Sequence, residues 1–140
     1  MHRVRTAFFR CESLVDAQGF HVLVCKQTPS RIIRHHTLND VVARAIQSAA
    51  IPVTKEPVGL TRQDSKRSDG LAAIPWQGGK PLTWDVTVVR TLAASYMSSS
   101  ARSAGAAVDL AASRKEAKYT GITNSYIFQP IAIESHGALS

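Results

Sequence analysis

No apolar run in this 140-residue chain approaches the roughly 18 residues that a membrane-crossing helix requires. The opening stretch, MHRVRTAFFRCESLVDAQG, is basic, but its apolar patch is too short and too interrupted for a signal peptide. These two absences favour an intracellular chain over a secreted one. Cysteine is scarce as well. Cys11 and Cys25 leave three arrangements open: one disulfide, two free thiols or, with nearby His21, metal ligation. Acidic residues are few, ten Asp and Glu against seventeen Lys and Arg, so the formal charge is +7. A surplus of that sign favours a polyanionic partner through phosphate neutralisation and counterion release. Nucleic acid is the first candidate. A membrane surface is disfavoured, because the basic residues are scattered over predicted loops and helix ends and form no long amphipathic basic helix. There is no internal repeat, and the serine run 98–100 is too short for a linker. The length suits one domain with a real core.

Residues 1–29 show no sustained period and hold both cysteines, so they read as a short irregular segment appended to a domain at 30–140. Ser30 is placed to cap a helix, and Ile32, Leu38, Val42, Ala45, Ile46 and Ala49 recur at helical spacing until Ile51-Pro52 stops it. IPVTKEPVGL reads as a short strand between prolines, and TRQDSKRSDG as a charged turn. DGLAAIPW and PLTWDVTVV follow as two strands of a hairpin, joined through Gln77-Gly78-Gly79-Lys80. After a Ser/Ala-rich stretch, an Ala-rich helix is predicted over 101–119, ending in ASRKEAKY. SYIFQPIAIES is a last strand whose Pro130 suits an edge position or a bulge. The order is αβββαβ, a mixed α/β (α+β) class with a central sheet flanked by two helices.

The polar residues on these elements carry the chemistry. Alternation along the strand from Leu82 puts Leu82, Trp84, Val86 and Val88 on one face and Thr83, Asp85, Thr87 and Val89 on the other. On the second helix Lys115 lies seven residues after Val108 and four after Ala111, in line with the apolar stripe, and Lys118 follows on the same side. In the first helix Ile32, His35, Asn39, Val42, Ile46 and Ala49 share a stripe, so His35 and Asn39 interrupt a packing face and need partners. Each of these alone has an ordinary structural explanation, such as a lysine stem snorkelling along apolar surface. Together they describe a site. Carboxylates on neighbouring strands, Asp69 and Asp85, suit a hard divalent cation such as Mg2+. A metal there polarises a scissile phosphate and activates water, and a lysine from a packed helix stabilises the charge that develops.

KRSDG, WDVTVV and RKEAKY, with fifteen residues between Asp69 and Asp85, resemble the restriction-like endonuclease domain at the carboxyl end of site-specific non-LTR retrotransposon reverse-transcriptase polyproteins, a branch of the PD-(D/E)xK superfamily. The resemblance spans roughly residues 9–140, and the predicted element order is similar to that superfamily's core. It implies a restriction-endonuclease-like fold and a metal-dependent DNA endonuclease that uses Mg2+ or Mn2+. It assigns Asp69 and Asp85 as metal ligands and Lys115 as the catalytic lysine, moved from the strand to the following helix. Lys118 and Tyr119 complete the family-like segment, Arg67 precedes the first carboxylate, RHHTLND brings Arg34, His35, Asn39 and Asp40 near the site, and TKEPVGL brings Glu56.

Two departures stand out. Ser68 occupies the place of the family's proline, which is expected to loosen the turn that aims Asp69. Upstream, Cys11, His21 and Cys25 look like three ligands of a Cys-Cys-His-Cys zinc knuckle, but Phe9 stands where the first cysteine is expected. Structural zinc takes four ligands. Either His35 or His36 substitutes, or the segment 1–29 is a degenerate knuckle, the reading preferred here. The resemblance further implies an intracellular, nuclear protein acting on DNA, with no membrane or small-molecule partner, and a fragment or relic of a mobile element. The competing reading is a nucleic-acid-binding module without catalysis.

Overall fold

The computed structural model describes residues 29–60, 67–90 and 93–134. Helix α1 spans Pro29–Ser48. It takes in both Pro29 and Ser30, so the helix begins before the position expected to cap it. A proline in that turn costs no hydrogen bond, because the first N–H groups of a helix have no internal partner. The helix closes with the Ala49 and Ala50 N–H groups donating to the Ile46 and Gln47 carbonyl oxygens, and Ala50 takes a left-handed φ of 61° before Pro52.

Strands β1 (Val53–Lys55), β2 (Gly70–Gln77), β3 (Lys80–Val89) and β4 (Ile127–Glu134) form one mixed sheet in the order β1-β2-β3-β4. β1/β2 and β2/β3 are antiparallel, and β3/β4 are parallel. Gly78 and Gly79, at φ 57° and 75°, supply the two left-handed residues that a tight hairpin turn with the right twist demands. A parallel partner cannot be reached by a hairpin. Two helices fill the crossover from β3 to β4: α2 (Ala94–Ser100) and α3 (Ala106–Lys118). The single helix expected over 101–119 is therefore shorter, and the serine-rich stretch before it is helical. Gly105, at φ 82°, marks the break between them.

The sheet has a core on each side. Ala43 of α1 packs on Ala72, Trp84 and Val86, with Leu38, Val42 and Ile46 around them. On the other side Ala107, Val108 and Ala111 of α3 pack on Val89 and Ala132. This division follows the alternation of β3, which sends Trp84 and Val86 one way and Asp85 and Val89 the other. The buried stripe of α1 is narrower than its periodicity suggests. Ala45 points away from the sheet, and Ile32, although in phase with Asn39, is 51% exposed. Gly70 is fixed by packing: a Cβ there would fall 2.0 Å from Cζ2 of Trp84. Among the described residues, no helix is long and apolar enough to cross a membrane.

Candidate metal centre

Asp69 sits one residue before β2, and its backbone is clamped from three directions. Its N–H donates to the Trp84 carbonyl oxygen (2.9 Å), and its carbonyl oxygen accepts from the Glu56 N–H (3.1 Å) and from Nδ2 of Asn39 (3.1 Å). Asn39 is itself oriented by the Trp84 indole N–H, which donates to its Oδ1 at 2.9 Å. A buried Asn on the packing stripe is thus fully employed, and its task is to hold Asp69. The side chain of Asp69 is held as well. Its Oδ2 accepts from the Val86 N–H at 2.7 Å and lies 3.1 Å from Nε2 of His35.

Asp85 enters from the α3 side of β3. Lys115 of α3 reaches it with Nζ 2.6 Å from Oδ2, and the two side chains are only 19% and 5% exposed. The carboxyl groups of Asp69 and Asp85 come within hydrogen-bonding reach of each other across the adjacent strands. Ligand atoms of His35, Asp69 and Asp85 all lie within 4.8 Å of one another, a group able to hold a metal ion. They open into a cleft of about 400 Å³ whose walls include Arg31, Arg67, Lys115, Lys118 and Thr87.

Two carboxylates this close cannot ionise independently. Burial pushes Asp85 up, the neighbouring Asp69 adds to the push, and Lys115 offsets only part of it, leaving Asp85 at about 6. Burial acts upward on Asp69 too, but its hydrogen bonds with His35, Asp85 and the Val86 N–H prevail and hold it down at about 2. His35 is raised, chiefly by its hydrogen bond to Asp69 and against the effect of burial. Burying acids at this cost without a use for them is uncommon, and groups with such opposed titrations cluster at functional sites.

The remaining expected site residues fall at different distances from this centre. Tyr119 is buried. It stacks on Phe128 at 4.2 Å and donates its hydroxyl to the Arg67 carbonyl oxygen (3.2 Å), so it braces the chain leading to Asp69. Lys118 and Arg67 are exposed and line the cleft. Glu56 contributes its backbone N–H to Asp69; its exposed side chain sits on a left-handed φ of 46° and does not line the cleft. Asp40 pairs with Lys55 away from the cleft, which holds its carboxyl below the usual range. Arg34 is half-buried and also lies outside the cleft lining. His36 is exposed, edge-on to the ring of His35. Cys11, His21 and Cys25 lie outside the described residues.

Ser68 departs from expectation. It is fully buried, its N–H donates to the Leu60 carbonyl oxygen (3.1 Å), and its hydroxyl lies 2.9 Å from that of Thr83. The Thr83 hydroxyl also lies 2.8 Å from the Gly70 carbonyl oxygen. A proline could make neither the amide nor the hydroxyl contact. Serine therefore anchors the turn before Asp69 instead of loosening it. Sequence reasoning missed this pair, Arg31, and the contact between His35 and Asp69; the stripe position of His35 was the available signal.

No protein-family model, curated protein or solved structure matches the chain. The fold and site define a mixed α/β protein with an acidic, metal-capable centre in a cleft rimmed by basic side chains.

Proposed function

We propose that the protein is a metal-dependent endonuclease that nicks the phosphodiester backbone of DNA. The observation that carries this reading is the meeting of Asp69, Asp85 and His35 within 4.8 Å, with Lys115 on Asp85. The element order and the two-sided sheet are what a restriction-endonuclease-like core would need, and the net charge of +7 suits a DNA partner.

The donor set fits a divalent cation of the Mg2+ or Mn2+ type, because two carboxylates and open cleft volume leave room for waters. Asp69 and Asp85 would hold it, and when bound it would polarise the scissile phosphate and lower the pKa of a bound water. Asp69 is the fixed member of the pair, since Val86, Asn39 and Glu56 determine its position. Asp85 is the adjustable member, pushed up to about 6, so that it is ionised to meet a cation at neutral pH and takes up a proton in its place as the pH falls through that value. Lys115 carries a positive charge to the edge of the centre, where it stabilises charge building on the phosphate oxygens. Arg31, Arg67 and Lys118 line the cleft and receive the flanking backbone.

Conversion of supercoiled plasmid to open circles tests this reading. Nicking should require Mg2+ or Mn2+ and stop with EDTA. Binding without nicking in either metal would leave a nucleic-acid-binding module.

A further inference from the structure

We propose that His35 is a third, direct ligand of the metal, and that the centre is built for a first-row transition dication such as Mn2+ in preference to Mg2+. The inference rests on the metal-dependent reading of the site given above, and its test reads ligation rather than cleavage.

The argument begins with distances. Adjacent ligands of a six-coordinate ion with bonds of about 2.2 Å lie about 3.1 Å apart, and opposite ligands about 4.4 Å. Nε2 of His35 is 3.1 Å from Oδ2 of Asp69, the spacing of adjacent ligands, and no pair among the three donor groups exceeds 4.8 Å. The widest separation allowed by that limit closes by about half an ångström around an ion. A carboxylate rotation supplies such a shift. The imidazole therefore stands where an ion held by the two carboxylates would meet it, and the proton between Nε2 and Asp69 passes to solvent as the ion takes its place.

A second observation lies on the same wall. Thr87 follows Asp85 on the same strand face and lines the cleft, and its buried Oγ1 has no hydrogen-bond partner. A buried hydroxyl without a partner is costly. A water in the outer part of a metal's coordination sphere would satisfy it.

Ligand chemistry then sets the ion. Mg2+ prefers oxygen donors and gives up its waters reluctantly, whereas the first-row transition ions accept imidazole nitrogen more readily, the later ones most and Mn2+, which also suits carboxylates, least among them. Two carboxylates alone would leave that choice open. Adding His35 tilts it.

Titration of the full chain with Mn2+ or Mg2+, followed by electron-spin-echo spectroscopy of the Mn2+ complex, tests the assignment. The wild type should bind Mn2+ at least about tenfold more tightly than Mg2+ and show nitrogen coupling from an imidazole. His35→Gln should abolish that coupling and weaken Mn2+ by about tenfold or more, since even outer partners of metal ligands are worth that much, while Mg2+ changes far less. His35→Ala serves as a second variant with the same expectation, and His36→Gln should keep the coupling. Mn2+ bound without nitrogen coupling, or equal weakening of both ions in the His35 variants, would overturn the proposal and leave His35 as an orienting partner of Asp69. Nitrogen coupling without nicking would sustain the ligand assignment and refute the nuclease.

Discussion

Replacing Asp85 by Asn should remove activity and stabilise the protein in the same step. At pH 7 the native carboxylate is ionised although its environment holds it at about 6 against an ordinary 3.8. That gap makes ionised Asp85 a burden of about 3 kcal/mol on the folded state. The sign follows from linkage: a carboxyl whose folded pKa is raised stabilises the fold below 3.8, and that contribution is lost as the pH rises through about 6. Asparagine is neutral at every pH and can donate to Asp69 as the protonated acid would. The loss of the Lys115 contact is already within that figure, because Lys115 is among the causes that set Asp85 at about 6; the imperfect match of an amide to the acid offsets about 1 kcal/mol. The net expectation is a gain of about 2 kcal/mol at pH 7, or about 4–8 °C in Tm for a domain of this size. Thermal melts in EDTA at pH 7 and pH 4 measure it. The stabilisation should be present at pH 7 and largely absent at pH 4, where the wild-type carboxyl is protonated. A variant less stable than wild type at pH 7, or a gain independent of pH, would refute the account of the acidic pair.

Other expectations follow from single contacts. Lys115→Ala should leave DNA affinity nearly unchanged but lower the single-turnover nicking rate by two orders of magnitude or more, about 3 kcal/mol of transition-state stabilisation, as measured at saturating protein. Lys118→Ala, on the exposed cleft wall, should weaken DNA binding at all sequences and reduce the slope of log K against log salt by about 1 in a salt titration. Gly70→Ala should cost about 3 kcal/mol in urea unfolding, because the new methyl group would meet the Trp84 ring at 2.0 Å. Metal affinity, followed by Mn2+ titration across pH, should fall about tenfold per pH unit once His35, raised above 6.5, takes up its proton, and about a hundredfold per unit below about 6, where Asp85 must lose a proton as well.

Much of the site was legible because it rides on simple periods. The two-residue alternation of β3 separates Asp85 from Trp84, and the 3.6-residue period of α3 carries Lys115 from the Val108-Ala111 face to the rim of the centre. The Gly78-Gly79 turn signalled that the strand bearing Asp85 and the strand that Asp69 leads into are neighbours. What escaped depends on contacts between segments distant in sequence. Ser68 meets Leu60 and Thr83, Asn39 meets Trp84, and His35 meets Asp69, and no local pattern encodes those pairings. The serine run 98–100 carries no pattern that predicts a helix, because its residues are weak helix formers; packing around Tyr96 and Val89 outweighs propensity there. β2 is also less regular than its sequence suggests, with register shifts on either side of Pro75 that leave Ile74 and Trp76 about half exposed.

The most direct test of the central claim is single-turnover nicking of supercoiled plasmid by wild type and Asp69→Asn, with DNA binding measured on the same samples. Asp69 is the more rigidly held ligand, so the variant should keep its fold and its affinity for DNA while its Mg2+- or Mn2+-dependent nicking disappears. Equal nicking by the two proteins, or no nicking by wild type with either metal, would contradict the assignment of this centre to phosphodiester cleavage.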